Sequence, residues 1–369
     1  MSFPSVLIVA GEPSGDQHAS AVVRELRTVF PESKIWGIGG PLMKQEGFEA
    51  VFPFEPFNRM GFLEVVSHLP FFLDAKKRLI KMMQRSRPHC LICVDYPGFN
   101  MLLMKAAHKM GIPVLWYIAP MVWAWKKKRA ETLARYAAHI ACIFPFEVAY
   151  FKPYTKNVSF VGNPLLELNN YKKEKINKSE PVVAIIPGSR KQEVEKMLNP
   201  MVQSYKKLKL KFPSLRGIVS RCHTLPDSMF NTVLAEADLE LFSGPLHELL
   251  CRSDLAMVTS GTATLETALY GVPMVIVYKT SFISYYIYKS LVKIAYIGLP
   301  NIIAGEKIVP ECIQYEANSE KIADRLGEYL NNGTLFTRTV EDLESIRKTL
   351  GFYKPSVKVA EIATNLINR

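Results

Sequence analysis

Small residues fill the stretch Ser260-Gly261-Thr262-Ala263-Thr264-Leu265-Glu266. The apolar run Leu255-Ala256-Met257-Val258-Thr259 precedes it, and Leu265, Ala268 and Leu269 are spaced for one face of a helix. The stretch therefore reads as a strand-to-helix turn, where the first N–H groups of the helix lack partners and its dipole is positive. Ser260, Thr262 and Thr264 add hydroxyl donors, and Gly261 lets an anion come close to the backbone. A second turn of this kind, Pro187-Gly188-Ser189-Arg190, follows the run Val182-Val183-Ala184-Ile185-Ile186. Both turns would emerge on one sheet edge and could together hold a diphosphate, with Arg190 beside Ser189 giving bidentate, charge-assisted bonds. Glu266, further along the helix, could accept from ribose hydroxyls. The first half of the chain supplies carboxylates: Glu12 and Asp16 in Gly11-Glu12-Pro13-Ser14-Gly15-Asp16, and Asp95 in Asp95-Tyr96-Pro97-Gly98-Phe99-Asn100. A leaving diphosphate on one wall and a general base on the other is a plan for group transfer. The simpler role of each such residue is to cap its own helix or loop.

Strands alternating with helices must position these turns. Apolar runs at 6–10, 35–38, 90–95, 114–118, 139–144 and 159–161 predict strands in the first half. Runs at 182–186, 215–219, 239–242, 255–259 and 274–278 repeat the rhythm in the second. Ala19, Val22, Val23, Leu26 and Val29 share a helical face, as do Val194, Leu198, Met201, Tyr205 and Leu208. The fold class this predicts is α/β, two Rossmann-like doubly wound domains facing a cleft. The polar, lysine-rich segment at 171–180 is the natural linker. It separates domain 1–170 from domain 181–340, and closing helices follow over 341–369, with Val359, Ile362, Ala363 and Leu366 on the last face. A length of 369 residues suits two cores better than one.

Forty-six Lys and Arg against 34 Asp and Glu leave a net charge of +12, which favours anionic partners. Trp123 and Trp125 beside Lys126-Lys127-Lys128-Arg129 could stack on nucleic acid, but a solvated helix start is the commoner meaning, and no nucleic-acid partner is expected. Phe62, Leu63, Val65, Val66, Leu69, Phe71, Phe72 and Leu73 run into Lys76, Lys77, Arg78 and Lys81. That pattern is either a membrane-facing patch with cations for headgroups or a partly buried helix with a solvated basic end. The opening residues lack a signal-peptide pattern. The longest uncharged run, 110–125, is shorter than the ~20 residues of a membrane span and contains Pro113 and Pro120. A cytosolic protein that touches a membrane without crossing it is expected. Cys90 and Cys93 lie three apart in one strand, on opposite faces, so core packing is expected rather than a redox or zinc pair. The chain has no P-loop, no G-x-G-x-x-G, no G-x-S-x-G, no Asp-x-Asp and no His pair at ligand spacing. Neither a metal nor a cofactor is therefore implied.

Seven collinear motifs resemble lipid-A-disaccharide synthase: Ala10-Gly11-Glu12-Pro13-Ser14-Gly15-Asp16, Gly61-Phe62-Leu63-Glu64-Val65, Asp95-Tyr96-Pro97-Gly98-Phe99-Asn100, Pro120-Met121-Val122-Trp123-Ala124-Trp125, Pro187-Gly188-Ser189-Arg190, the Ser260 to Glu266 stretch, and Leu299-Pro300-Asn301. The resemblance runs from the first strand to about Gln314. It implies a two-domain inverting glycosyltransferase of the B type. The donor would be UDP-2,3-diacylglucosamine and the acceptor 2,3-diacylglucosamine 1-phosphate. The products would be the β-1,6 tetra-acyl disaccharide 1-phosphate and UDP, at the cytoplasmic face of a bacterial inner membrane. It places Arg190, Ser260, Gly261, Thr262 and Glu266 at UDP, and Glu12 and Asn301 near the donor. Some relatives carry a carboxylate where this chain has Gly98; the general base expected here is Asp95, with Asp16 or Glu12 as alternatives. The acylated substrates give the Phe62 to Leu73 patch a purpose, since each buried CH₂ contributes ~0.8 kcal/mol. A homodimer is a further expectation, because the closing helices could exchange between subunits. A UDP-sugar 2-epimerase of the same architecture and a catalytically inactive UDP-sugar binder are the rival readings.

Overall fold

The computed structural model describes residues 3–58, 69–120, 127–168, 180–235, 237–280, 295–351 and 353–369. The motif at 61–65 with Phe62, the tryptophan segment at 121–126 and residues 171–179 of the expected linker lie outside the described residues, as does the side chain of Leu69. The chain divides into two units, one of residues 1–167 with 352–369, the other of residues 168–351.

The first unit holds seven parallel strands: β1 (Ser5–Ala10), β2 (Lys34–Ile38), β3 (Glu49–Ala50), β4 (Cys90–Val94), β5 (Val114–Tyr117), β6 (His139–Cys142) and β7 (Val158–Phe160). Their order is β3-β2-β1-β4-β5-β6-β7, so the winding reverses between β1 and β4. Those two pair in register from Val6↔Cys90 to Ala10↔Val94. Alternation sends Leu7, Val9, Leu91 and Cys93 to one face and Val6, Ile8, Cys90 and Ile92 to the other. Both faces are covered, which is why these strands read as unbroken apolar runs. Helices α1 (Pro13–Val29), α2 (Pro41–Gln45), α3 (Leu69–Ser86) and α4 (Pro97–Lys109) belong to this unit. Leu79 and Met83 of α3 pack with Leu103 and Met104 of α4 on the first face; Val22 and Leu26 of α1 pack on the second.

The second unit repeats the plan with six parallel strands: β8 (Val182–Ile186), β9 (Arg216–Ser220), β10 (Leu239–Phe242), β11 (Leu255–Thr259), β12 (Met274–Tyr278) and β13 (Glu311–Ile313). Their order is β10-β9-β8-β11-β12-β13, reversing between β8 and β11. Helices α5 (Lys191–Lys211) and α6 (Thr262–Leu269) follow those two strands; α7 (Leu299–Ala304) and α8 (Gly333–Leu350) come later.

The closing helices do not stay together. Leu343 of α8 packs in the core of the second unit. The last helix, α9 (Pro355–Ile367), returns to the first unit, where Val359, Ala360, Ala363 and Leu366 complete the α1 face of the sheet. Glu167 fastens its start by accepting from Ser356 N at 3.1 Å and from the Ser356 hydroxyl. Amphipathic spacing marks α9 as buried but cannot say against which sheet. Val359 is fully buried. Val359→Ala removes two methyl groups' worth of contact and is expected to destabilise the first unit by roughly 1–3 kcal/mol. An unchanged urea midpoint would contradict that packing.

Candidate active site

In open parallel sheets ligands bind beyond the carboxyl ends of the strands, where the winding reverses. Each unit puts its chemistry there. In the second unit the turns after β8 and β11 come from hydrogen-bonded neighbours. They share one cavity of about 620 Å³ with the ends of β9 and β10. Gly188, Ser189, Arg190, Ser260, Gly261 and Thr262 all line it.

Only some of the expected donors face that space. Ser260 donates its hydroxyl to Ile297 O at 3.0 Å, and Thr264 donates its own to Gly261 O at 2.7 Å. Thr262, exposed at the start of α6, is left on the cavity wall. Among the described residues a Cβ at Gly261 would meet nothing within 4 Å, so none of them requires glycine there; the open space suits a ligand. Gly188 differs: its φ is +116°, and a Cβ would come within 2.6 Å of Glu193 Oε2. Glu193 accepts from Ser189 N at 3.1 Å and Arg190 N at 3.2 Å, and its other oxygen meets Arg190 Nη1 at 3.2 Å. A carboxylate thus sits on the amides and the guanidinium that a phosphate would use. Arg190 keeps 78% of its side chain exposed and can turn to a ligand.

Glu266 is not among the residues lining the cavity. It is half-buried on α6, and burial pushes its carboxyl up to about 7. Asn301 is fully buried and engaged within the chain. Its Oδ1 accepts from Ile308 N and Val309 N, and its Nδ2 donates to Val309 O and Glu311 Oε1. These four bonds fill the hydrogen-bonding capacity of its side chain, so a place near the donor, as the resemblance implies, leaves it no further group to offer a ligand.

Sequence reasoning passed over Ser220-Arg221-Cys222-His223 and Ser243-Gly244-Pro245-Leu246, which line the same cavity. Arg221 ties the two loops, donating to Ser243 Oγ at 3.0 Å and Leu225 O at 2.6 Å and pairing with Asp227 at 2.9 Å. The strands before these loops were legible, so the rule about strand ends, applied to all of them, would have found both.

The first unit brings Glu12 and Asp95 together where β1 and β4 end. Glu12 begins α1 without making a side-chain capping bond. Asp95 is largely desolvated, and burial first, then the charge of Glu12, pushes its carboxyl from 3.8 up to about 7. The backbone here is strained. Asp95, Tyr96 and Ile118 have φ of +45°, +52° and +63°, a region costly for residues with side chains. Asn100 holds the turn through Nδ2, which donates to Asp95 O at 2.8 Å, and Asp95 N donates to Tyr117 O at 2.9 Å. Gly11 lies against the Tyr96 ring, where a Cβ would be 2.7 Å from the nearest ring carbons. Such over-determined strain is typical of sites that aim a reactive group.

Asp16, expected as an alternative base, is otherwise engaged. Its carboxylate accepts from Gly40 N at 2.8 Å, Leu42 N at 3.0 Å and Met43 N at 3.1 Å, capping α2. With three backbone N–H groups on it, the carboxylate is committed to holding the start of α2. Phe71 and Phe72 also differ from an outward-facing patch. Both are half-buried, with Phe57 centroids 5.1 and 5.7 Å away and Phe99 6.3 Å from Phe72. The aromatic packing of the core claims these rings; Leu73 on the same helix stays 51% exposed.

In sequence and in fold the chain is similar to known proteins. A family profile described as lipid-A-disaccharide synthetase matches residues 6–360. The lipid-A-disaccharide synthase of Geobacter metallireducens is 36% identical, covering 99% of this chain and 97% of its own length. That of Syntrophus aciditrophicus is also 36% identical, covering 100% and 99%. Among solved structures, the calicheamicin glycosyltransferase CalG4 superposes with a TM-score of 0.64 at 14% identity, covering 100% of this chain and 99% of its own. UDP-GlcNAc 2-epimerase from Neisseria meningitidis, bound to UDP-GlcNAc, gives 0.63 at 13% identity, covering 99% of each. At such identities the structural likeness speaks for the fold alone, two parallel-sheet α/β domains of the B-type glycosyltransferase kind. What separates the transferase from the epimerase is the full-length sequence match, and by it the chain belongs to the lipid-A-disaccharide synthase family.

Proposed function

We propose that the protein transfers 2,3-diacylglucosamine from its UDP conjugate to 2,3-diacylglucosamine 1-phosphate, releasing UDP. The observation that carries this reading is the pair of strand-to-helix turns from the neighbouring strands β8 and β11, opening with Arg190 onto one cavity. Asp95, with its raised pKa, takes the proton from the acceptor's 6-hydroxyl. The oxygen attacks the anomeric carbon of the donor as the bond from that carbon to the diphosphate breaks. One displacement inverts an α-linked donor to a β-1,6 product. The departing charge falls on the helix N-terminal amides and Arg190.

The test is to incubate the purified protein with UDP-diacylglucosamine, with and without the monosaccharide acceptor. UDP release only when acceptor is present supports the transferase. Sugar isomerisation without acceptor would support the epimerase, and no release at all an inactive binder.

The same reading places the protein at the inner face of the bacterial inner membrane, where such lipids reside. No helix among the described residues is long and apolar enough to cross a membrane. The surface proposed to meet the bilayer is exposed Leu73 with the basic turns after it, Lys77, Arg78 and Lys81. Phe72→Asp would bury a charge in the aromatic cluster and so report on folding. Leu73→Asp with Lys77→Glu reports on the surface. It is expected to weaken co-sedimentation with anionic liposomes by about fivefold or more, since each cation near the headgroups contributes ~1 kcal/mol. UDP affinity should not change. Undiminished co-sedimentation would remove the proposal.

A further inference from the structure

Glu311 is 8% exposed on β13, the outermost strand of the second sheet, and it pairs with Ile276 of β12. Its carboxylate accepts from Ile297 N at 3.1 Å, Gly298 N at 2.9 Å and Asn301 Nδ2 at 2.9 Å. A carboxylate taken from water is costly unless its lone pairs find donors, and here three N–H groups supply them. The segment it grips has little freedom. A Cβ on Gly298 would meet Ile276 Cδ1 at 2.1 Å and Glu311 Oε1 at 3.1 Å. The carbonyl of Ile297, on the far side of the gripped peptide, accepts the Ser260 hydroxyl at 3.0 Å. A chain of short bonds therefore joins the sheet to the diphosphate turn through Glu311, Ile297 and Ser260.

We propose that Glu311 is a positioning residue for that turn. Without touching the ligand, it fixes the Ile297 peptide so that Ser260 is held and the amides of Gly261 and Thr262 point into the cavity. Asn301, bonded to the same carboxylate, works through the same link. This rests on the diphosphate reading of the cavity.

The test is a double-mutant cycle on UDP binding, measured by titration calorimetry on wild type, Glu311→Gln, Ser260→Ala and the double variant. Glu311→Asp, which keeps the charge but shortens the reach, runs as a second cycle so that poor folding of one variant decides nothing. Thermal melts verify that each protein is folded. Each single change is expected to weaken UDP binding roughly tenfold, the scale of one hydrogen bond to a charged or strongly polar group. The double variant should be no weaker than the weaker single, because both changes cut one chain. The donor KM should rise while the acceptor KM stays unchanged. Losses that multiply, or folded Glu311 variants with wild-type affinity, would overturn the inference. A wild-type protein that does not bind UDP would instead overturn the diphosphate reading on which it rests.

Discussion

Asp95→Asn is expected to lower kcat by roughly 10²–10⁴-fold, the span over which a positioned general base contributes, while UDP affinity stays unchanged. The side chain keeps its shape and the strained turn its bonds, since Asn100 holds the backbone carbonyl of Asp95 rather than its carboxylate. What is lost is the group that takes the proton. The pH profile makes the claim specific. With Asp95 titrating at about 7, wild-type kcat/KM should climb between pH 6 and 8 and level off above, because only the ionised carboxylate is a base. Glu12 raises that pKa by its charge, so Glu12→Gln should move the acidic limb to lower pH. Gly98→Asp should move it to higher pH and leave the fold intact, because among the described residues a Cβ at Gly98 meets nothing within 4 Å. Stability should run the other way from activity. The carboxyl pKa is raised on folding from 3.8 to about 7, so Asp95 costs no stability below 3.8 and its full cost above 7. Urea midpoints of Asp95→Asn and wild type should therefore coincide at pH 3.5 and separate in favour of the variant at pH 8. An Asp95→Asn protein with wild-type turnover, or one that keeps the acidic limb, would remove Asp95 from the mechanism.

Much of this was legible because the site is built from local patterns. Small residues between an apolar run and a helical face mark a turn, and the turns after β8 and β11 were found that way. The strands that escaped, Glu49–Ala50 and Glu311–Ile313, are two and three residues long and carry no period to read. The harder misses concern what a polar residue is bonded to. Asp16 looked like a reactive carboxylate because its partners, Gly40 to Met43, lie 24 to 27 residues away. Glu311 carries no signal at all, since one acid beside a proline gives no sign that three N–H groups converge on it. For Phe71 and Phe72 the sequence leaves two readings open, because a run of apolar residues ahead of lysines has the composition both of a membrane patch and of a partly buried helix with a solvated basic end. Which of those residues face the core depends on the phase of a helix against Phe57 and Phe99, and tertiary packing sets that phase.

The second large effect concerns the grip on the diphosphate. Arg190→Ala is expected to weaken UDP binding by roughly 10–150-fold, the equivalent of a charged hydrogen bond worth about 1.5–3 kcal/mol. The loss should not be much reduced by the ion pair Arg190 gives up, because its bond to Glu193 is exposed and such pairs contribute about 0–1 kcal/mol. Arg190→Lys should recover only part of the affinity, since an ammonium is a point charge and cannot make the planar, two-bond contact. Gly261→Val separates grip from fold. The backbone at Gly261 is extended, with φ of 160°, and no described residue comes within 4 Å of its missing Cβ, so a side chain there should leave the melting temperature unchanged. That space lies on the cavity wall at the start of α6, and branched carbons in it would keep a phosphate off the helix amides. A folded Gly261→Val protein should therefore lose UDP binding at least as severely as Arg190→Ala. If both variants bound UDP as tightly as wild type, the cavity between the β8 and β11 turns would not be the nucleotide site, and the transferase mechanism would lose its leaving-group pocket.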